Sequence, residues 1–247
     1  MDVVVQDSGR VRQVTLNRPA KRNALTMQMC KDIVAAVQSA EGCVLITANG
    51  SAFCSGMDLS EAAPADELLK VHEELFTLGA RAEKPIVIGV NGAALAGGLG
   101  LVAQGHVVLA SPNAVFGLPE VRIGFWPFVV YRAVEAALGK RRTLELSLTG
   151  ATFQAEQALA WGLVHRVDAD VETAATTVAE QLAQSSPSAI AAGLRYVREA
   201  EGKSATEAGE LAARLRAELA ASADYMEGTG AFREKRAAHW PSLADRS

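Results

Sequence analysis

The stretch IVIGVNGAALAGGLGLVAQGHVVLASPNAVFGLPE, residues 86–120, decides the fold of this chain. It opens with the apolar run Ile86–Val90, which predicts a buried strand. A turn of small residues (91–98) leads into a predicted helix, and Val107–Ala110 then predicts a second buried strand. Glycines at a strand-to-helix turn leave backbone N–H groups accessible to a ligand oxygen. Because Glu120 adds one carboxylate, the stretch predicts a site with N–H donors and a single acid or base.

The residues before this stretch alternate between strand and helix patterns. Residues 3–5 and 11–16 are short β-type runs joined by a turn, which predicts a hairpin. A helix with Thr26 as its N-cap follows, then a strand at 43–47 and a helix at 66–81. This order predicts a mostly parallel sheet flanked by helices, which is an α/β fold.

The second half of the chain is rich in alanine and poor in strand patterns. Helices are predicted at 127–138 and 141–148. A third helix at 152–160, capped by Thr152, is followed by a last short strand at 163–167. Residues 171–238 read almost entirely as helix, with a soft boundary between 186 and 203. We therefore predict a core of residues 1–190 and a C-terminal helical region of residues 191–247.

Composition excludes several classes of partner. The chain has 247 residues, of which 49% are hydrophobic, and a net charge of −4. This size and composition suit a large hydrophobic core. A net negative charge gives no reason to expect nucleic acid or an anionic membrane as a partner. With no long apolar segment and no basic leader followed by an apolar stretch, we expect no membrane span and no secretion signal.

The cysteines and histidines predict neither disulfides nor a metal site. The three cysteines are odd in number and form no C-x-x-C pair, which favours a reducing compartment and hence the cytoplasm. The four histidines lack the spacings typical of zinc sites, so we expect no catalytic metal.

A dinucleotide-binding site is a competing interpretation of the glycines. Residues 98–103, GLGLVA, fit the pattern G-x-G-x-x-A, with Glu120 about 20 residues further on. In a dinucleotide-binding fold the glycines follow their strand within a few residues. Here seven residues separate Val90 from Gly98, so this interpretation is rejected.

Six stretches along the chain together carry a family resemblance. The first four are VTLNRP (14–19) with NAL (23–25), AFCSGMDL (52–59), NGAALAGG (91–98), and FGLPEV (116–121) with IG (123–124). The other two are LTG (148–150) with Ala155, Ala158 and WGLV (161–164), and EG (227–228) with AF (231–232) and EKR (234–236). In this order they resemble the crotonase superfamily, which includes the enoyl-CoA hydratases and isomerases. The resemblance implies a crotonase-like ββα-type spiral core with a C-terminal helical trimerisation region.

The resemblance also implies a reaction. The substrate would be an acyl-CoA thioester, whose carbonyl oxygen gains negative charge as an enolate forms. The backbone N–H groups of Met57 and Gly97 would form the oxyanion hole, the pair of donors that binds this oxygen. One such donor is typically worth about 3 kcal/mol of transition-state stabilisation. Glu120 would carry the proton, a role worth roughly 10²–10⁴ in rate.

Further residues are implied to bind the substrate and its CoA group. They are Lys21, Arg22, Ala24, Ser55, Gly56, Asp58, Leu59, Gly98, Trp126, Phe232 and Lys235. Phe232 and Lys235 would close over CoA from the C-terminal helix of the same or a neighbouring subunit. The family resemblance implies a homotrimer or homohexamer, and no cofactor beyond the CoA of the substrate.

Three departures from the family pattern affect the expected reaction. Gly100 stands where hydratases of the family carry a second glutamate, His106 stands where an aspartate is common, and residues 125–128 (FWPF) replace a glycine-rich turn. Two carboxylates hold and activate water, whereas one is enough to move a proton between two carbons. We therefore favour double-bond isomerisation over hydration. Thioester hydrolysis, decarboxylation and CoA binding without catalysis stay open as alternatives.

Four other residues have simpler interpretations. Cys54 beside the first oxyanion loop is expected to be a small buried hydrophobic residue, because no histidine is placed by a motif to activate it. His106 is expected to be a structural hydrogen-bonding residue. Trp126 and Phe128 are expected to lie in the core or in the wall of the acyl pocket.

Overall fold

The computed structural model describes residues 1–61 and 65–244. The strands are β1 (Val3–Ser8), β2 (Val11–Leu16), β3 (Cys43–Ala48), β4 (Ala52–Cys54), β5 (Ile86–Val90), β6 (Ala93–Leu95), β7 (Val107–Ala110), β8 (Val115–Gly117), β9 (Thr152–Gln154) and β10 (Arg166–Val167). The helices are α1 (Met27–Gln38), α2 (Ala65–Leu75), α3 (Leu78–Arg81), α4 (Gly97–Val102), α5 (Phe128–Leu138), α6 (Lys140–Thr149), α7 (Ala155–Ala160), α8 (Val171–Ala183), α9 (Pro187–Ala200), α10 (Ala205–Ala220), α11 (Ala223–Glu234) and α12 (Pro241–Ala244). Short 3₁₀ helices lie at Pro19–Lys21 and Pro119–Ile123.

The larger sheet has the strand order β1-β2-β3-β5-β7-β10. β1 and β2 form the predicted antiparallel hairpin, and every other pair in this sheet is parallel. Strands of parallel sheets are usually buried on both faces. On β3, Val44 and Ile46 face one hydrophobic cluster, whereas Cys43 and Leu45 face another that includes α8. The predicted parallel sheet flanked by helices is therefore confirmed.

The second sheet was not predicted. Its order is β4-β6-β8-β9, and β4, β6 and β8 run parallel. Its first three strands lie in segments that the sequence predicted as a loop or turn or left unassigned, namely 48–56, 91–98 and 111–117. Each of these strands has only three residues, and β4 and β6 consist mainly of small ones. So short a strand shows no clear alternation of apolar and polar residues, which is why sequence periodicity misses it.

Two predicted helices differ from the structure. The helix predicted at 66–81 is divided into α2 and α3 at Thr77, whose φ of −120° is not helical. Thr152 is not an N-cap but the first residue of β9, which pairs with β8 and stacks Phe153 on Phe116 at 5.4 Å between ring centroids. The N-cap of α7 is Gln154, which forms a capping box with Gln157.

Phe128 is not in the hydrophobic core. Its side chain is 69% exposed and forms an edge-to-face pair with Phe125, at 6.2 Å between centroids. Trp126 is half-buried and stacks on Tyr131 at 6.2 Å. The core placement is therefore wrong for Phe128, because α5 turns this first residue outward while burying Val130 and Val134. A place in the wall of the acyl pocket stays a prediction.

The C-terminal helices are joined by a buried carboxylate. Asp224 on α11 is 2% exposed and accepts hydrogen bonds from the hydroxyls of Ser186, Ser188 and Ser242 at 2.7–2.9 Å, and from the backbone N–H of Ser242. These bonds tie α9, α11 and α12 together. The predicted division after residue 190 falls inside α9, and the two-domain organisation stays a prediction.

Replacing Asp224 with asparagine should destabilise these helices. Burial alone would raise the pKa of Asp224, but the hydrogen bonds from Ser188, Ser186 and Ser242 outweigh it and hold the pKa at about 2. A lowered folded-state pKa stabilises the protein above the unfolded pKa, and this contribution is lost as pH falls through the folded pKa. From pKa 3.8 to about 2, the contribution is about 2 kcal/mol.

Urea unfolding between pH 2 and pH 7 measures this effect. Asp224→Asn should lower the free energy of unfolding at pH 7 by about 2 kcal/mol and flatten its decline between about pH 4 and pH 2. Glu210→Gln, at an exposed site on α10, serves as the matched control. An Asp224→Asn protein as stable as the wild type at pH 7 would show that the carboxylate does not hold the helices.

Candidate active site

Three chain segments leave neighbouring parallel strands of the second sheet at the same edge. Residues 55–57 follow β4, residues 96–97 follow β6, and residues 118–120 follow β8. The strands are held in this order by the pairs Cys54–Ala94 and Leu95–Gly117. Ligands of α/β sheets usually bind at the carboxyl ends of parallel strands. The sheet therefore brings the segments that carry Met57, Gly97 and Glu120 to one edge.

The first segment is oriented by a parallel bridge between Leu25 and Met57. Leu25 N–H donates to the carbonyl of Gly56 at 2.8 Å, and Asp58 N–H donates to the carbonyl of Leu25 at 2.9 Å. In a parallel ladder these bonds use the two residues that flank Met57, so the N–H of Met57 itself points away from Leu25. Gly56 makes this turn at φ +101°, a conformation that glycine adopts without strain.

The second segment places Gly97 at the start of α4. The first N–H groups of a helix have no partner within the helix, so that of Gly97, which is buried, is not used by α4 itself. A β-carbon on Gly97 would lie 3.4 Å from Met57 Sδ and 3.5 Å from Gly56 Cα. The two predicted oxyanion loops are therefore in direct contact. Ala96, just before Gly97, has φ +51°, which is unusual for a residue with a side chain.

Gly98 has a packing role. A β-carbon there would overlap the carbonyl oxygen of Cys54 on β4. Glycine thus allows α4 to pack directly on β4. Its predicted contact with substrate stays a prediction.

Glu120 lies in the first turn of the 3₁₀ helix Pro119–Ile123 and is half-buried. Its Oε2 atom is buried and has no hydrogen-bond partner among the described residues. Burial raises the pKa of the carboxyl above its ordinary value, against a smaller opposing effect of a hydrogen bond from its own backbone N–H. A carboxyl group with a raised pKa is suited to take up and return a proton near neutral pH.

The position of the missing second acid is filled by other side chains. Gly100 is fully buried on α4, and a β-carbon there would overlap Val130 Cγ1, with Val130 Cβ at 2.7 Å and Phe76 Cε1 at 3.0 Å. The space that a glutamate side chain would need beside α4 is therefore occupied by α5 and by the residue that follows α2.

A half-buried arginine and a buried asparagine hold the loops that carry the predicted CoA contacts. The guanidinium of Arg18 donates to Asp58 Oδ2 at 2.6 Å and to the carbonyl of Ala24 at 3.1 Å. Asn23 is fully buried, accepts the N–H of Arg18 and donates to the carbonyl of Ala52 at 2.9 Å. Both residues belong to the stretch 14–25 that carries the family resemblance, but their hydrogen bonds were not predicted, because their partners Asp58 and Ala52 are distant in sequence.

Asp58 therefore has a structural role in the described chain. Its ion pair with Arg18 is half-buried, and hydrogen bonds from Ser60 and Arg18 hold the pKa of its carboxyl far below the ordinary value. Ser55 N–H donates to the carbonyl of Arg22 at 3.0 Å, which fixes the loop on the same side. Lys21, Arg22 and Leu59 are not buried, as a substrate contact requires.

The two residues predicted to cover CoA lie at the C-terminal end of α11. Phe232 is 85% exposed on α11, beside a cavity of about 430 Å³ that Tyr225 and Trp240 also line. Lys235 ends α11 in the left-handed conformation. Among the described contacts, neither residue is joined to Lys21, Arg22 or Ala24. Their contact with CoA, from the same or a neighbouring subunit, stays a prediction.

The simpler interpretations of Cys54 and His106 are confirmed. Cys54 is fully buried, and burial raises the pKa of its thiol to about 12, so it is not an activated nucleophile. His106 Nδ1 accepts the N–H of Ile86 at 2.9 Å, and Nε2 lies 3.1 Å from the carbonyl of Gly79. Both ring nitrogens are thus used in structural hydrogen bonds.

The described part of the chain contains neither a candidate metal site nor a candidate membrane span. Its His, Cys, Asp and Glu residues form no group of three or more that could hold a metal ion. No helix of residues 1–61 and 65–244 has the length and hydropathy to cross a membrane.

Comparison with known proteins gives the fold and the family of the chain. The fold is the crotonase fold: a solved enoyl-CoA hydratase from Mycobacterium smegmatis superimposes with a TM-score of 0.90 at 26% identity, covering 97% of this chain and 99% of that one. The family model described as Enoyl-CoA hydratase/isomerase matches residues 6–243, and the chain belongs to this family of acyl-CoA enzymes. Mevalonyl-coenzyme A hydratase sidH of Aspergillus fumigatus is 36% identical, over 92% of this chain and 90% of its own length. The 2,3-dehydroadipyl-CoA hydratase of Escherichia coli is 35% identical, over 95% and 96%.

Proposed function

We propose that this enzyme moves the double bond of a 3-enoyl-CoA to the 2-position. The observation that supports this most strongly is the packing at Gly100, where Val130 and Phe76 fill the position of a second acid. Among the described residues, Glu120 is then the carboxylate at the carboxyl edge of β4, β6 and β8 that has a raised pKa and a buried, unpartnered oxygen. One such group suffices for isomerisation, because no water has to be activated.

In this mechanism Glu120 removes a proton from the α-carbon of the 3-enoyl thioester. The electron pair of the broken C–H bond moves onto the thioester oxygen and forms a dienolate. The N–H groups of Met57 and Gly97 stabilise this oxygen, and each donor is worth about 3 kcal/mol in such a site. Glu120 returns the proton to the γ-carbon, the electron pair moves back, and the product carries its double bond next to the thioester.

Hydration is the second candidate, because the relatives described above are named hydratases. In that reaction Glu120 alone would have to orient and deprotonate water. Other enolate reactions, such as thioester hydrolysis or decarboxylation, and CoA binding without catalysis are the remaining alternatives.

We also propose how CoA is held and how the chains assemble. Lys21 and Arg22 are exposed cations on the loop beside Ala24 and suit the phosphates of CoA. Phe232 and Lys235 would cover CoA from a neighbouring copy in a homotrimer or homohexamer, which explains why so large an apolar side chain as Phe232 is exposed in one chain. No cofactor beyond CoA is proposed. A cytoplasmic location is consistent with three buried free thiols.

Assays of the purified chain with 3-enoyl-CoA and with 2-enoyl-CoA distinguish the two main candidates. We expect formation of 2-enoyl-CoA to exceed hydration by at least about 10²-fold, the usual value of one acid–base group. Hydration as fast as isomerisation would contradict the proposal. If neither substrate reacts, product analysis with malonyl-type and hydroxyacyl-CoAs tests the other enolate reactions. Acyl-CoA binding without any product would support the non-catalytic alternative.

A further inference from the structure

A second buried polar group near the site has no assigned role. His72 on α2 is 7% exposed, and its Nε2 atom is buried without a hydrogen-bond partner among the described residues. Most buried polar atoms in proteins are hydrogen-bonded, so an unpaired nitrogen in a protein interior calls for an explanation. Burial lowers the pKa of the imidazole, more than the negative charge of Glu61 raises it. The ring is therefore neutral at pH 7.

His72 lies one helical turn from a residue that contacts the candidate active site. Its ring centroid is 6.0 Å from that of Phe76. The ring of Phe76 in turn reaches the oxyanion loop, because a β-carbon on Gly97 would lie 3.4 Å from Phe76 Cζ. Phe76 therefore lies between Gly97 and His72, and His72 is one residue removed from the predicted oxyanion loop.

The negative charge beside His72 favours a neutral polar ligand over an anionic one. Glu61 is the charged group that acts on this ring, and its Oε2 already accepts the N–H of Met27 at 2.7 Å. A carboxylate at the end of the acyl chain would be repelled by Glu61 and would need a protonated imidazole. A neutral hydroxyl needs neither change, because it can donate to or accept from a neutral ring nitrogen.

We propose that His72 determines substrate specificity by hydrogen bonding through Nε2 to a hydroxyl group on the acyl chain. This inference rests on the proposed acyl-CoA site, but it does not depend on which reaction follows. The enzyme would then select acyl-CoAs with a hydroxylated chain over purely aliphatic ones. A buried water bonded to Nε2 is the competing explanation, and it predicts no such selection.

Calorimetric binding of unreactive saturated acyl-CoAs to the full chain tests this directly. The probes are ω-hydroxyacyl-, ω-carboxyacyl- and unsubstituted acyl-CoAs of matched length over a short series. We expect one hydroxylated length to bind about tenfold more tightly than its unsubstituted partner, the usual size of one buried hydrogen bond. The carboxylated probe should show no such gain. Equal binding of all three, or a gain for the carboxylated probe alone, would overturn the proposal.

Substitutions then assign the preference to this side chain. His72→Phe should abolish the tenfold ratio, and His72→Gln, which keeps a polar end, should retain part of it. Leu69→Ala, on the exposed side of α2, is the matched control and should leave the ratio unchanged. Thermal unfolding shows which variants are folded, and His72→Gln keeps the test valid if His72→Phe does not fold. A ratio that is unaffected by both His72 variants would contradict the assignment.

These outcomes separate this inference from the proposed function. Isomerisation of an unsubstituted 3-enoyl-CoA together with equal binding of the probes would refute only the role of His72. A hydroxyl preference that depends on His72, without isomerisation, would refute only the reaction.

Discussion

Glu120→Gln should reduce kcat for isomerisation of 3-enoyl-CoA by about 10²–10⁴-fold, because the amide cannot accept the α-proton. The substitution nearly preserves the size of the side chain, so the fold and the affinity for a substrate analogue should change little. Glu156→Gln, at an exposed site on α7, is the matched control and should keep the wild-type rate. An unchanged rate in Glu120→Gln would show that another group moves the proton.

The pH dependence of the same variant gives an independent test. The carboxylate form of Glu120 is the one that accepts the α-proton, and burial raises the pKa of this group above 4.5. The wild-type kcat/KM should therefore fall as pH decreases through that raised pKa. The residual activity of Glu120→Gln should be flat over the same range. A wild-type rate that is flat through this acid range would contradict the assignment.

The larger sheet is predictable because its strands carry a strong local signal. Ile86–Val90 and Val107–Ala110 are continuous apolar runs, and both of their faces are buried in the structure. A helix N-cap is predictable where its own side chain accepts a hydrogen bond from the first turn. The hydroxyl of Thr26 does so from the N–H of Met29 at 3.2 Å. Thr152 shows the limit of this reasoning, since a hydroxyl before a helix is equally compatible with a strand.

The candidate site is predictable only in part. The roles of Met57, Gly97 and Glu120 come from the family resemblance, and the structure adds that their segments leave one edge of a sheet. Those roles stay predictions. The packing of Gly100 beside Val130 and Phe76 brings together residues that are far apart in sequence. The burial of His72 Nε2 likewise depends on the tertiary structure. No local pattern encodes such contacts, because they depend on how α5 packs against α4 and α2.

Gly100→Glu combined with Val130→Ala should raise the rate of 2-enoyl-CoA hydration at least about 10²-fold over the wild type. The double variant introduces a second carboxylate and removes Val130 Cγ1, the atom that would overlap most with a β-carbon at position 100. The β-carbon of residue 130 stays 2.7 Å from that position, so α5 has to shift slightly to accommodate the glutamate. Two carboxylates can then hold and activate water, and a positioned acid–base group contributes roughly 10²–10⁴ in rate. The rate of hydration is measured from the loss of 2-enoyl-CoA and the appearance of 3-hydroxyacyl-CoA.

The two single variants separate chemistry from packing. Gly100→Glu alone should be strongly destabilised, because its β-carbon would lie within 3.0 Å of both Val130 and Phe76. Val130→Ala alone opens a cavity and should be less stable, without any gain in hydration. If the double variant folds and binds acyl-CoA but hydrates no faster than Val130→Ala, the absent acid is not what limits hydration. The reaction would then be set by the geometry around Glu120, and Gly100 would be only a consequence of how α4 packs against α5.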